Sequence, residues 1–137
     1  MNLKHMESTR GAQVKNSTNI QAYIDPAARD EVIQIELSGA IFGAQADALC
    51  NTLRSLSASH KPAGWALNLE NLDFISARGL HVLRAFARLV QKRGCTVELR
   101  TIKPELLEVL KDLEMRHLFR GPNRIAVSSD YLLETVY

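Results

Sequence analysis

No stretch of this 137-residue chain approaches the ~18 consecutive apolar residues that a membrane-spanning helix requires, so membrane insertion is not expected. The N-terminus carries Lys4 without an apolar segment behind it, which excludes a secretory signal and leaves the cytoplasm as the expected compartment. Cysteine is scarce. Cys50 and Cys95 lie far apart, make no metal motif, and read as small buried hydrophobes. The four histidines, His5, His60, His81 and His117, lack the i,i+4 or C-x-x-C company of a zinc site, so no metal and no cofactor are expected. An excess of one charge is missing too. A net charge of +2 argues against broad nucleic-acid binding, which leans on dense Lys and Arg. P-loop, G-x-G-x-x-G and H-E-x-x-H motifs are absent, and F-I-S-A-R-G is not a nucleophile elbow. Asp73 is near Ser76, but only the distant His60 or His117 is left to complete a relay, so the chain is not expected to be an enzyme.

What is present is an ordinary globular balance, 46% apolar and 23% charged. The length suits one domain that buries about two thirds of its unfolded surface without staples. Residues 1–19 are polar and unpatterned and read as a flexible tail; residues 20–137 read as the domain. There, strand and helix patterns alternate. IQAYI (20–24) is a short edge strand, and VIQIEL (32–37) alternates as a half-buried strand ended by Ser38-Gly39. Phe42, Ala46, Leu49, Leu53 and Leu56 then share one face of a helix. WALNL (65–69) suits a central parallel strand. A second helix runs from about Arg78 to Arg93, with Gly94 past its end. TVELRTI (96–102) is a strand, Pro104 opens a third helix, MRHLF adds a short turn, and RIAV a last strand. DYLLETVY forms a final helix capped by Ser128 or Ser129. Strand–helix–strand repetition implies a mostly parallel sheet of 4–5 strands flanked by about four helices.

The second helix has a broad apolar face. With about 100° per residue, Val82 and Leu89 widen the stripe toward the side where Arg78 points. Apolar residues rimmed by charge mark partner surfaces, although a broad core face fits the same pattern. His81, Arg84, Arg88 and Lys92 form a basic stripe, which is either a solvated face or a site for an acidic partner or polyanion.

Residues 76–79, Ser-Ala-Arg-Gly, stand where an apolar strand hands over to this helix. Ser76 is a natural N-cap, and the helix start offers free N–H groups and partial positive charge. Gly79 costs helix propensity but permits close backbone approach. The corner is therefore suited to holding an anion, to phosphorylation or to pressing on another protein; it is equally a capped helix whose glycine serves tight contacts.

LNLENLDFISARGL resembles the D-L-S-x-V-x-F-[IM]-D-S-S-G-L segment of the STAS domain family, which includes bacterial anti-sigma factor antagonists and the cytoplasmic domains of sulfate-permease-type transporters. The following helix, KRG before the next strand, and KPELLEVLKDLEMRHLF match in kind, so the resemblance covers roughly residues 20–119. It implies a small sheet flanked by helices and a protein-binding surface at the second helix's start. There, in antagonists, a kinase-type anti-sigma factor binds and phosphorylates a serine two places before the glycine, which breaks the complex. Here that position is Ala77, the preceding Asp is Ser76, the following Ser/Thr is Arg78, and the Asp opening the segment is Asn68. GAIFGAQADAL is closer to the transporter-type G-P-L-F-F-A-N-A-E-x-L, since antagonists carry Asp where Phe42 stands.

The leading expectation is a stand-alone, non-enzymatic binding module. Its expected partner is an anti-sigma factor or kinase-like switch protein, contacted through Ser76, Ala77, Arg78, Gly79, Val82 and Leu89. The usual phosphorylation is absent because of Ala77, with Ser76 the substitute candidate, and homodimerisation is compatible with this reading. The alternatives are a soluble accessory subunit of a transport system, or a nucleotide- or anion-sensing domain, which Arg78 beside free N–H groups favours.

Overall fold

A computed structural model describes residues 13–16 and 19–126. The expected C-terminal helix and residues 1–12 of the expected tail lie outside the described residues. Strands β1 (Gln13–Asn16), β2 (Ile20–Ile24), β3 (Val32–Ile41), β4 (Gly64–Ile75), β5 (Val97–Ile102) and β6 (Phe119–Arg120) follow one another across a single sheet, and β7 (Arg124–Ile125) also pairs with β5. β1, β2 and β3 are antiparallel neighbours; β3, β4 and β5 run parallel. The parallel pairs need crossovers, which helices α1 (Ala44–Ser59) and α2 (Ala77–Lys92) provide. Helix α3 (Pro104–Asp112) and a 3-10 turn (Arg116–Leu118) lead from β5 to β6.

Three sequence expectations need correction. Gln13–Asn16, assigned to the tail, is an edge strand: it has only Val14 to bury, and the open edge of β2 supplies its pairing. β3 does not stop at Leu37, nor β4 at Leu69. The two stay paired as far as Ile41 opposite Ile75, with register shifts near Ser38 and Gly39 that absorb the broken alternation. Gly39 sits there at φ +67°. Phe42 is not on the buried face of a helix, because α1 begins only at Ala44, after Gly43 turns the chain at φ +54°, and Phe42 is 53% exposed.

Alternation divides the sheet's faces. Ile33, Ile35, Trp65, Leu67, Val97 and Leu99 are buried toward the helices, and Trp65 meets Phe86 of α2 edge to face, with ring centroids 5.2 Å apart. Each such side chain removed from water stabilises by about 1.5–3 kcal/mol. Cys50 and Cys95 are half-buried rather than fully buried.

The other face of the central strands is polar and cross-linked. Arg100 of β5 reaches over β4, donating to Gln34 Oε1 of β3 at 2.6 Å and to Asp25 Oδ2 beyond β2 at 2.5 Å, while its Nε meets Glu98 Oε1 at 3.0 Å. It can cross because the β4 residue beneath is Ala66, paired with both Gln34 and Glu98. The register shift between Leu67 and Asn68 leaves Arg100 as the extra residue of β5, and bulges re-aim side chains in this way. Gln34 Nε2 donates to Tyr23 Oη, which donates to Glu36 Oε2. Burial opposes ionisation of Asp25, but the Ala27 N–H and Arg100 prevail and hold its carboxyl below the usual value. The Asn123 amide, then Arg100, lowers Glu98 against the opposing effect of burial. Burial opposes the charge on Arg100, and Asp25 and Glu98 outweigh it.

Candidate functional site at the strand-to-helix corner

The corner forms where β4 ends. Ser76 N–H donates to Ile41 O at 2.9 Å, extending the β3–β4 ladder by one bond, and the chain then turns into α2. Ser76 caps that helix: its Oγ accepts from Gly79 N–H at 3.2 Å, as the sequence predicts. The hydroxyl is half-buried and already engaged.

Gly79 is buried, and the reason is steric. A Cβ there would stand 2.6 Å from Ile75 Cγ1 and 3.3 Å from Ile41 Cγ2. The glycine presses the first turn of α2 onto the ends of β3 and β4. Of the two readings open for it, the structure supports tight internal contact and places it beneath the corner rather than on its surface.

Ala77 and Arg78 are exposed on the outside of the corner. Ala77, the first residue of α2, presents only a methyl group. Arg78 pairs with Asp47 Oδ1 of α1 at 2.5 Å; with their side chains 70% and 55% exposed, such a bond contributes about 1 kcal/mol at most. This pair ties the starts of α1 and α2 together. Below it, Val82 is half-buried against the core and Leu89 is 37% exposed. They line an open groove of about 310 Å³ between the helices, with Leu53, Phe86, Cys50 and Arg54. Arg78, Val82 and Leu89 therefore share one face, as their angular spacing implies.

Two residues beside the corner escape sequence reasoning. Phe42 and Phe74 are 53% and 55% exposed, and their rings meet edge to face with centroids 6.1 Å apart. They flank the corner, Phe42 just past the end of β3 and Phe74 one residue before the end of β4. Phe74 continues into a cleft of about 200 Å³ with Leu72, Ile75, Leu106 and Val109, whose rim holds the Lys103–Asp73 ion pair at 2.7 Å. The signal available in the sequence was F-x-S, which puts Phe74 on the same side of an extended strand as Ser76; the partnership with Phe42 depends on long-range pairing.

The geometry does not assemble a relay at Ser76. Asp73 is bonded to Lys103. His60 and His117 lie by the opposite end of the sheet, beside Trp65 and beside Phe119, which pairs with Val97, whereas Ser76 follows the far end of twelve-residue β4, about 30 Å away. Among the described residues no group of His, Cys, Asp and Glu has the arrangement of a metal site, and no helix is long and apolar enough to cross a membrane.

A STAS domain family model matches residues 23–130, most of the chain, and the chain belongs to that family. Solved structures agree at the level of fold. An anti-sigma factor antagonist from Mycobacterium paratuberculosis superposes with a TM-score of 0.59 at 20% identity, covering 90% of this chain and 98% of that one. The anti-sigma factor antagonist SpoIIAA in its unphosphorylated form gives 0.54 at 14%, covering 84% and 96%. A sulfate transporter family protein from Wolinella succinogenes gives 0.58 at 22%, covering 77% and 84%. No curated protein matches the sequence.

Proposed function

We propose that this chain is a non-enzymatic, cytoplasmic regulatory module of the anti-sigma factor antagonist type. It binds an anti-sigma factor or kinase-like switch protein through the outside of the corner and the adjoining face of α2. The observation that carries the reading is the exposed corner itself: Ala77 and Arg78 project outward beside two exposed phenylalanine rings, above a buried glycine that fixes the helix start. Apolar rings rimmed by charge suit a protein partner.

Its binding is not released by the usual phosphorylation. Ala77 has no hydroxyl, and the neighbouring Ser76 Oγ is held as a helix cap. A phosphate would bring close to two negative charges to the contact, and this chain offers no acceptor at that position. The test is incubation with a purified kinase-type anti-sigma factor and ATP, followed by intact-mass analysis. The expected result is an unmodified chain in a persistent complex. A stoichiometric gain of about 80 Da located on Ser76 overturns it.

One observation favours a second reading, an accessory subunit of a transport system: Phe42, where the resemblance places Asp in antagonists, is exposed at the site. Binding to a transporter's membrane domain, with none to the anti-sigma factor, distinguishes it.

A further inference from the structure

The ends of α1 and α2 meet over the start of β4, at the end of that strand away from the corner. Arg93, just past α2, donates from Nη1 to Ser57 O in the last turn of α1 at 2.8 Å. Beside this link lies a pocket of about 420 Å³, within the about 300–1,000 Å³ usual for small-molecule sites. Its apolar wall is Pro62, Trp65 and Val90, all buried, with Trp65 held edge to face against Phe86. Its polar wall is His60, Lys61 and Arg93, and no carboxylate lines it.

The cations exceed what the helix ends require. A helix C-terminus carries about half a negative charge, so two of them answer to about one positive charge. Lys61 and Arg93 bring two without counting His60, and among the described residues neither has an ion-pair partner. The chain's own N–H groups already close both helices, His60 onto Leu56 O at 2.9 Å, Gly94 onto Gln91 O at 3.0 Å and Cys95 onto Val90 O at 3.1 Å. The bond to Ser57 O occupies one nitrogen of Arg93 and fixes the guanidinium. Its Nε and Nη2 make no hydrogen bond with the described residues, and that edge of the fork can grip a carboxylate through two parallel bonds.

We propose that this pocket binds a small carboxylic acid with an aromatic body, its carboxylate on the free edge of Arg93 and beside Lys61, its ring against Pro62, Trp65 and Val90. The site stands at the other end of β4 from the corner and does not depend on the protein-binding reading. An inorganic anion would use the cations but leave the apolar wall uncovered. A neutral aromatic molecule would cover the wall but leave the fork of Arg93 unmet.

The probe is phenylacetate, titrated into the full chain while backbone-amide NMR shifts are followed. Phenylacetamide, acetate and inorganic phosphate serve as comparisons. Expected are saturable shifts at millimolar phenylacetate, confined to residues 60–65 and 90–97 and absent from residues 76–79, with each comparison compound at least about tenfold weaker. Arg93→Gln lowers the affinity at least about tenfold, and Arg93→Lys does not restore it, because an ammonium cannot make the paired bonds. Arg93 also ties the two helices together, so Lys61→Glu supplies a second variant at an exposed position without an internal bond; it lowers the affinity about fivefold. No saturable shift with phenylacetate, equal binding of phenylacetamide, phosphate shifting the same amides as tightly, or an unchanged affinity in Lys61→Glu would each overturn the proposal.

Discussion

Replacing Arg100 by Met keeps an apolar stem over Ala66 but removes the guanidinium that links β5 to β3 and to the end of β2. Three charge-assisted hydrogen bonds disappear, to Asp25, Gln34 and Glu98. Asp25, with a side chain only 12% exposed, retains the Ala27 N–H but loses its counter-charge. Hydrogen bonds to charged groups contribute about 1.5–3 kcal/mol each and are not additive within one network, so a loss of about 3 kcal/mol at pH 7 is expected. The loss depends on pH, and its sign follows from the directions of the shifts. Asp25 and Glu98 have folded-state pKa values below their usual ones, so their stabilisation is complete above the unfolded values, about 3.9 and 4.3, and is lost as pH falls through the folded ones. Urea titrations of wild type and Arg100→Met from pH 7 to pH 3 measure it. The difference between the two proteins should hold steady down to about pH 5 and then shrink. A difference below about 0.5 kcal/mol at pH 7, or one that does not change on acidification, refutes the account of the network.

Gly79→Val forces a branched side chain against Ile75 and Ile41, and overpacking of this kind costs about 1–3 kcal/mol; thermal unfolding should show a midpoint several degrees lower. Ser76→Ala removes the cap on α2 and should destabilise by about 1 kcal/mol in urea titration, with faster amide exchange confined to the first turn. Phe42→Ser/Phe74→Ser alters exposed rings, so unfolding should move by no more than about 1 kcal/mol, whereas calorimetric titration with the anti-sigma factor should show affinity at least about tenfold lower.

The elements legible in the sequence are those whose signals are local. Alternation in VIQIEL, the serine before α2, the glycine after it at φ +83° and the proline opening α3 each determine structure within a few residues. What escapes is set by contacts between distant segments. β1 exists because β2 has an open edge. β3 and β4 outrun their apolar patterns because they continue to pair. Phe42 looks like a helical core position until Gly43 is seen to turn the chain first. The bridge from Arg100 to Asp25 spans 75 positions and depends on a small residue in the strand between, which no local pattern reveals. At the site, Ser76, Ala77, Arg78 and Leu89 lie where spacing puts them, while the buried placement of Gly79 and the exposed pair of rings are products of the folded β3–β4 end.

The account's central claim is that the outside of the 76–79 corner and the adjoining face of α2 form the contact with a protein partner. Backbone-amide NMR mapping of the full chain against a purified kinase-type anti-sigma factor, in the presence of ATP, tests it most directly. The account predicts shifts centred on Ala77, Arg78, Val82 and Leu89, reaching Phe42 and Phe74 and persisting in the presence of ATP, with no phosphate transferred to the chain. Shifts centred instead on the polar sheet face around Gln34, Glu98 and Arg100, or a complex that dissolves as the corner acquires a phosphate, would contradict it.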